Sequence, residues 1–158
     1  MKSINVLLLV FVSLACSKQV AMSSSNQLND DWTIAYTTLN EEVVSIAFTN
    51  VSDSQLRLLN PMEKKVQMLI GDEWVKVSIF YCDCGLSCPA PPNERTFEPK
   101  EVWNFTWDLM VEECLEEDGS TTTVKTKAKP GNYRVSYDYQ LPNSRERKKV
   151  IATFKIES

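Results

Sequence analysis

The sequence predicts an all-β protein, a single antiparallel β-sandwich that follows a signal peptide and a flexible tether. Short runs alternate apolar and polar residues, turn residues separate these runs, and helical periodicity is almost absent. Seven to nine short strands at this spacing are typical of sandwiches and barrels. The predicted organisation is a signal peptide over residues 1–15, a tether over 16–30 and one domain over 31–158.

The first strands of the domain are predicted from alternation. Residues 32–36 open the domain, and residues 42–50 then place valine, isoleucine and phenylalanine side chains on one face. The segment 50–54 (NVSDS) has the composition of a turn, and two leucines at 56 and 58 share a face beyond it. These residues predict three successive strands.

A hairpin is predicted in the middle of the chain, because the runs 66–70 and 74–81 flank Gly71-Asp72. Three prolines between residues 89 and 92 interrupt the chain before the next strand. That strand, residues 102–107, alternates large aromatic side chains, which predicts a contribution to the core.

Two strands are predicted near the end of the chain, where aromatic or aliphatic residues alternate with polar ones over 133–139 and 150–156. The basic cluster 145–149 between them predicts a solvent-exposed turn. Residues 110–117 (MVEECLEE) are the exception to the β pattern, and we expect one or two helical turns there.

The start of the chain has the form of an export signal. Lys2 supplies one positive charge, residues 6–12 are apolar, and the small residue Ala15 precedes Cys16. The apolar run is far shorter than the ~20 residues that span a bilayer as a helix. This arrangement resembles the lipobox of bacterial lipoproteins, although Ser13 stands where that family has a branched apolar residue. The resemblance implies cleavage after Ala15 and a diacylglyceryl group on the Cys16 sulfur, in which palmitate is one of the expected fatty acids.

The lipoprotein resemblance also implies a location at the cell envelope. Ser17 follows Cys16 in place of the aspartate that marks inner-membrane retention in that family, so the outer membrane is favoured if the cell is Gram-negative. The alternative is a secreted or periplasmic protein in which Cys16 has no special role. The polar segment after Cys16 suits a tether. We therefore expect one partner to be the membrane, reached through the lipid anchor.

Composition argues against two classes of function. The formal net charge is −4, and a mildly acidic chain is poorly suited to nucleic acid, whose binding depends on neutralising phosphates. The chain contains no histidine, the side chain most used for acid–base catalysis near neutral pH. We therefore expect a protein that is not an enzyme, needs no cofactor and does not bind nucleic acid.

An even number of cysteines remains beyond Cys16, which in an exported chain predicts disulfides. These four are Cys82, Cys84, Cys88 and Cys114. A bridge from Cys82 to Cys84 is awkward, because alternate strand residues point to opposite faces. We expect Cys114 to pair with Cys82 or Cys84, and Cys88 to pair with the other.

The same four thiols are also the basis of a competing hypothesis, a zinc or Cu(I) handling protein. Met68 and Met110 could add thioether ligands for copper. The cysteine spacing matches no paired CxxC motif, and an exporting compartment favours disulfides, so we expect no metal site.

Three short phrases resemble immunoglobulin-like domains of bacterial envelope lipoproteins. They are Phe48–Ser52, Phe97–Glu101 and Pro130–Val135, the last of which places Tyr133 like a tyrosine corner. This resemblance implies an immunoglobulin-like sandwich. Val135 stands where an antibody domain has its second core cysteine, so no antibody-type bridge between the sheets is implied. Bacterial proteinase-inhibitor domains share similar phrasing more weakly.

These observations predict a binding or structural module that acts through protein–protein contacts at a loop or an exposed strand edge. The predicted contact region is the loop 82–93, which disulfides would hold rigid. Its candidate binding residues are Asp83, Gly85, Leu86, Ser87 and Pro89. The predicted partner is an unidentified envelope protein, and the sequence leaves the oligomeric state open. The alternative functions are metal handling and proteinase inhibition.

Overall fold

A computed structural model describes residues 30–40 and 42–157. The predicted signal peptide, Cys16 and the tether up to residue 29 lie outside the described residues. Within the described ranges all regular secondary structure is β-strand, and every strand pair is antiparallel. The all-β class predicted from the alternating pattern is therefore confirmed.

Eleven strands follow one another in the described part of the chain, more than the seven to nine predicted. They are β1 (Trp32–Asn40), β2 (Val43–Asn50), β3 (Leu56–Leu59), β4 (Val66–Ile70), β5 (Glu73–Lys76), β6 (Glu94–Phe97), β7 (Val102–Trp107), β8 (Met110–Glu117), β9 (Ser120–Lys127), β10 (Gly131–Gln140) and β11 (Lys148–Ile156).

The strands form two main sheets and one separate hairpin. The smaller sheet has the order β1-β2-β7. In the larger sheet, β11 lies along one side of β10, and β3 and β4 both lie along the other side, with β6 and β5 beyond them. The hairpin consists of β8 and β9. The inner faces of the two sheets enclose the core of an antiparallel sandwich that is not closed into a barrel.

Aromatic rings from both sheets meet in the core. The ring of Trp103 in β7 lies 5.2 Å from that of Phe48 in β2 and 4.3 Å from that of Tyr137 in β10. Phe105 and Trp107 are buried, as the alternation of β7 predicts. Edge-to-face and stacked pairs of this kind add to the stabilisation from buried area. Burial in this cluster raises the pKa of Tyr137.

One buried polar side chain connects the two sheets. Asn50, at the end of β2, is fully buried, and its Nδ2 donates to the carbonyls of Ser54 at 2.9 Å and Phe97 at 3.2 Å. Its Oδ1 accepts from the Ser52 N–H at 3.0 Å. The predicted turn after β2 is therefore held by a network that satisfies the amide it buries.

The hydrogen bond of a tyrosine corner is also present. The hydroxyl of Tyr133, near the start of β10, donates to the carbonyl of Lys129 at 2.6 Å. The ring itself is buried and stacks on Phe154 with a centroid distance of 5.7 Å. The hydroxyl thus fixes the chain upstream of β10 while the ring packs in the core.

Several strand boundaries differ from the prediction. The expected helical turns over 110–117 are wrong, because this segment is β8, whose backbone pairs with β9 in register from Met110 to Glu117. The predicted strand 74–81 ends at Lys76, and β6 and β9 were not predicted. The hairpin at Gly71-Asp72 is confirmed, since Ile70 pairs with Glu73.

Candidate functional site: a loop fixed by two disulfides

The predicted contact loop, residues 82–93, lies between β5 and β6 and is called here the stapled loop. Residues 77–81, which connect β5 to this loop, are called here the lead-in segment. Backbone hydrogen bonds attach this segment to the sandwich. The N–H of Val77 donates to the carbonyl of Val66 in β4 at 2.9 Å, and the carbonyl of Ser78 accepts from the N–H of Glu112 in β8 at 2.9 Å. Val77 is buried and Ile79 packs against the core. The lead-in therefore connects β4 to β8.

Two disulfides fix the stapled loop, within the pairing range predicted from the sequence. Cys84 bonds to Cys114 in β8, with the two Cα atoms 5.7 Å apart. Cys82 bonds to Cys88 across six residues of sequence, with the Cα atoms 6.2 Å apart. The first bridge joins the loop to the β8–β9 hairpin, and the second closes the loop on itself.

A buried carboxylate supports the base of this arrangement. Glu112 accepts the N–H of Phe80 at 2.5 Å and forms an ion pair with Lys125 of β9 at 2.9 Å. Burial opposes ionisation of the carboxyl, but the hydrogen bond and charge of Lys125 and the Phe80 N–H outweigh it and lower the pKa of Glu112 below its ordinary value. The ionised carboxylate therefore links the lead-in segment to both strands of the hairpin.

A tight turn lies at the start of the stapled loop. The N–H of Leu86 donates to the carbonyl of Asp83 at 3.2 Å, and Gly85 has a φ of +77°, which favours glycine. A Cβ at Gly85 would lie 3.2 Å from the carbonyl oxygen of Thr121 in β9. The N–H of Cys84 donates to Thr123 Oγ1 at 2.7 Å. The turn thus packs closely against one face of the hairpin.

The far end of the stapled loop is also attached to the sandwich. The carbonyl of Asn93 accepts the N–H of Asn60 at 2.6 Å, and Glu94 then pairs with Leu59 at the start of β6. The chain between the disulfides and β6 therefore has both of its ends fixed.

The loop presents apolar side chains to solvent. Leu86 is 66% exposed, the largest exposure among the large apolar side chains of the described residues, and Tyr81, just before the loop, is 49% exposed. All five candidate binding residues are exposed: Asp83, Gly85, Leu86, Ser87 and Pro89. These residues are close together in the chain, so they form one exposed segment, and their role in binding stays a prediction.

Sequence reasoning missed the hairpin that supports the loop. Asp118 and Gly119 form its two-residue turn, and both have positive φ, 50° and 77°. An Asp-Gly pair between β-prone segments is a strong hairpin signal, and it could have revealed β8 and β9. The roles of Glu112 and Lys125 depend on contacts distant in sequence, and no local pattern indicates them.

The described part of the chain offers no alternative site of the metal-binding kind. All four cysteines of this part are in disulfides, so none is a free thiolate. No group of three or more His, Cys, Asp or Glu residues is placed to hold a metal ion within the described ranges.

The same ranges contain no helix with the length and apolar character needed to cross a membrane.

No family model, curated protein or solved structure matches this chain. The functional interpretation therefore depends on the sequence and on the geometry of the stapled loop.

Proposed function

We propose that this protein is a non-enzymatic lipoprotein of the cell envelope whose stapled loop binds a partner protein. The observation that carries the proposal is the exposure of Leu86 at a turn that a disulfide, a backbone hydrogen bond and a close glycine contact hold against the hairpin. Burying an exposed leucine side chain completely against a partner is favourable by ~1.5–3 kcal/mol. A loop that is already ordered loses less conformational entropy on binding.

The chemistry of the surface suits a partner with an apolar pocket and a polar rim. Leu86 and Tyr81 supply apolar area, and Tyr81 also carries a hydroxyl. Asp83 and Ser87, both exposed, add a charge and a hydrogen-bonding group beside them. An apolar centre surrounded by polar groups is the usual composition of a protein–protein interface.

The envelope location is supported by two sequence features and by the disulfides. Cys16 follows an apolar leader and a small residue, and a polar segment separates it from the domain. Disulfides persist in oxidising compartments outside the cytosol. Mass spectrometry of the mature N-terminal peptide tests this part: an acylated N-terminal Cys16 supports it, and a chain that retains Met1 contradicts it.

The contact surface is tested by comparative pull-down of envelope proteins with three variants of the full-length protein. Leu86→Asp and Tyr81→Ser change the proposed surface, and Val102→Ser changes a valine of β7, in the smaller sheet, that is 46% exposed. We expect at least one partner to be retained by the wild type and by Val102→Ser and lost by both Leu86→Asp and Tyr81→Ser. Retention of every partner by all three variants would refute the loop as the contact surface.

A further inference from the structure

We propose a second binding site, for a carboxylated sugar ring such as a uronic acid, on the outer face of the larger sheet. This site goes beyond the function proposed for the stapled loop and does not depend on it. Residues of β4, β5, β10 and β11 line an open cavity of about 290 Å³ on this face. The side chains that the argument uses are Leu69, Trp74, Asn132 and Lys155, all of which line this cavity.

The register of the sheet places these side chains together on the outer face. Leu69 pairs with Trp74 across the β4–β5 hairpin, and Asn132 pairs with Lys155 across β10 and β11. Residues directly opposite on antiparallel strands point to the same face. Tyr133, next to Asn132, is buried on the inner face, and its cross-strand partner Met68, next to Leu69, packs against the core. Both pairs therefore point away from the core.

A local network holds the indole of Trp74 in place. The guanidinium of Arg134 lies 4.5 Å from its ring centroid, and Arg134 Nε donates to Gln67 Oε1 at 2.8 Å. Gln67 Nε2 in turn donates to the carbonyl of Trp74 at 3.3 Å. Gln67 thus ties Arg134 to the backbone of Trp74, and the guanidinium of Arg134 packs on the indole, which favours one ring orientation before any ligand arrives.

The lining matches the two sides of a carboxylated pyranose. The C–H face of such a ring is apolar and suits an indole and a leucine, and its hydroxyls suit the side-chain amide of Asn132. Lys155 supplies a cation for the carboxylate. Its present partner is Glu157, at 3.1 Å in an exposed ion pair, and exposed pairs are worth ~0–1 kcal/mol. A ligand carboxylate can therefore replace Glu157 at low cost.

Charge and size both narrow the ligand class. Arg134 on the indole and Lys155 at the cavity place two cations around Trp74, which favours an anion over a neutral sugar. Pockets for drug-sized ligands have volumes of ~300–1,000 Å³. A cavity of about 290 Å³ lies at the lower end of that range, a size that suits one or two sugar rings.

The test is a set of separate titrations of the full mature chain with D-glucuronate, D-glucose and acetate. Binding is measured by tryptophan fluorescence and by calorimetry. Two of the four tryptophans, Trp32 and Trp107, are buried, whereas Trp74 borders the cavity. We expect glucuronate alone to give a saturable fluorescence change and measurable heat. Acetate tests for simple pairing with Lys155, and glucose tests for stacking without charge.

Three variants complete the design. Trp74→Leu keeps an apolar cavity wall and removes the ring, so we expect loss of the fluorescence response and at least tenfold weaker binding by calorimetry. Lys155→Gln removes the cation and should weaken binding about tenfold, the equivalent of one charge-assisted hydrogen bond. Lys149→Gln is the matched control, because Lys149 is another exposed lysine of β11 with the same strand parity as Lys155, outside the cavity lining, and it should bind like the wild type.

The proposal is overturned if glucuronate gives no saturable response, or if glucose or acetate binds as tightly as glucuronate. It is also overturned if Trp74→Leu and Lys155→Gln bind glucuronate like the control. Circular dichroism of each variant shows whether it is folded, and Lys155→Gln, a change at an exposed position, provides the decisive comparison if Trp74→Leu does not fold. Partner capture by the stapled loop is measured separately, so the two proposals can fail independently.

Discussion

The two disulfides should contribute unequally to the stability of the domain. Cys84–Cys114 closes a loop with a sequence separation of 30, whereas Cys82–Cys88 closes one of 6. In the chain-entropy treatment, the stabilisation grows with the logarithm of loop length, because a longer loop has more freedom to lose in the unfolded chain. This gives ~3.6 kcal/mol for the longer loop and ~2.2 kcal/mol for the shorter one.

Urea denaturation of two double variants measures the difference. Cys84→Ser with Cys114→Ser should lose ~1.4 kcal/mol more of the free energy of unfolding than Cys82→Ser with Cys88→Ser. Replacing both members of a pair leaves none of the other domain cysteines as a free thiol that could exchange with the remaining bridge. Loss of the contact between the loop and the hairpin should add to the effect of the first variant.

The reasoning is refuted if the two double variants are equally stable, or if loss of Cys82–Cys88 costs more. Either result would mean that the unfolded chain is already constrained near Cys114, or that the stapled loop adds nothing to the fold through the hairpin. A changed m-value in either variant would instead point to a change in the surface exposed on unfolding.

Three further substitutions test the supports of the fold. Glu112→Gln should destabilise the domain at neutral pH, and the difference in stability between variant and wild type should shrink as the pH falls below ~4.5. The reason is that the pKa of Glu112 is lowered in the folded state, so the stabilisation by its carboxylate is present above the unfolded-state pKa and is lost on acidification. Thermal melts across pH measure this, and a constant difference would contradict it. Asn50→Ala should cost ~2–3 kcal/mol by urea denaturation, since the carbonyls of Ser54 and Phe97 lose their donor; a loss below 1 kcal/mol would show that water replaces the amide. Tyr133→Phe should cost ~1 kcal/mol, and an unchanged melting temperature would show that the corner hydrogen bond is not stabilising.

The parts of the fold that depend on local patterns could be predicted from the sequence. The alternation in β2, β7 and β10 identifies both the strands and their buried faces, because a half-buried strand has a period of two. The Gly71-Asp72 turn likewise identifies the β4–β5 hairpin, since its sequence matches a two-residue connection.

Segments without a buried face could not be identified from the alternation of apolar and polar residues. β9 is exposed at almost every position, so its sequence carries no apolar alternation. β8 has four glutamates, and its acidic composition suggested a helix although its backbone pairs with β9. In both strands the deciding contribution is cross-strand hydrogen bonding and the Cys84–Cys114 bridge, which depend on residues distant in sequence.

The candidate loop could be located from the sequence, whereas the carboxylate at its base could not. The cysteine spacing and the prolines indicate a constrained segment over 82–93. The carboxylate of Glu112, which links the lead-in segment to Lys125, is one of several acidic residues in its run, and its partner lies 13 positions away on the paired strand. Only the pairing of β8 with β9 distinguishes it from its neighbours.

Disulfide mapping of the native protein tests the central claim, a loop fixed by two bridges, most directly. Cleavage before Asp83 and after Leu86 separates Cys82, Cys84 and Cys88 onto three peptides, and thiols are alkylated before digestion. Mass spectrometry should then find Cys82 linked to Cys88 and Cys84 linked to Cys114, with no alkylated cysteine among the four. Four alkylated cysteines, or a metal released on alkylation, would contradict the account.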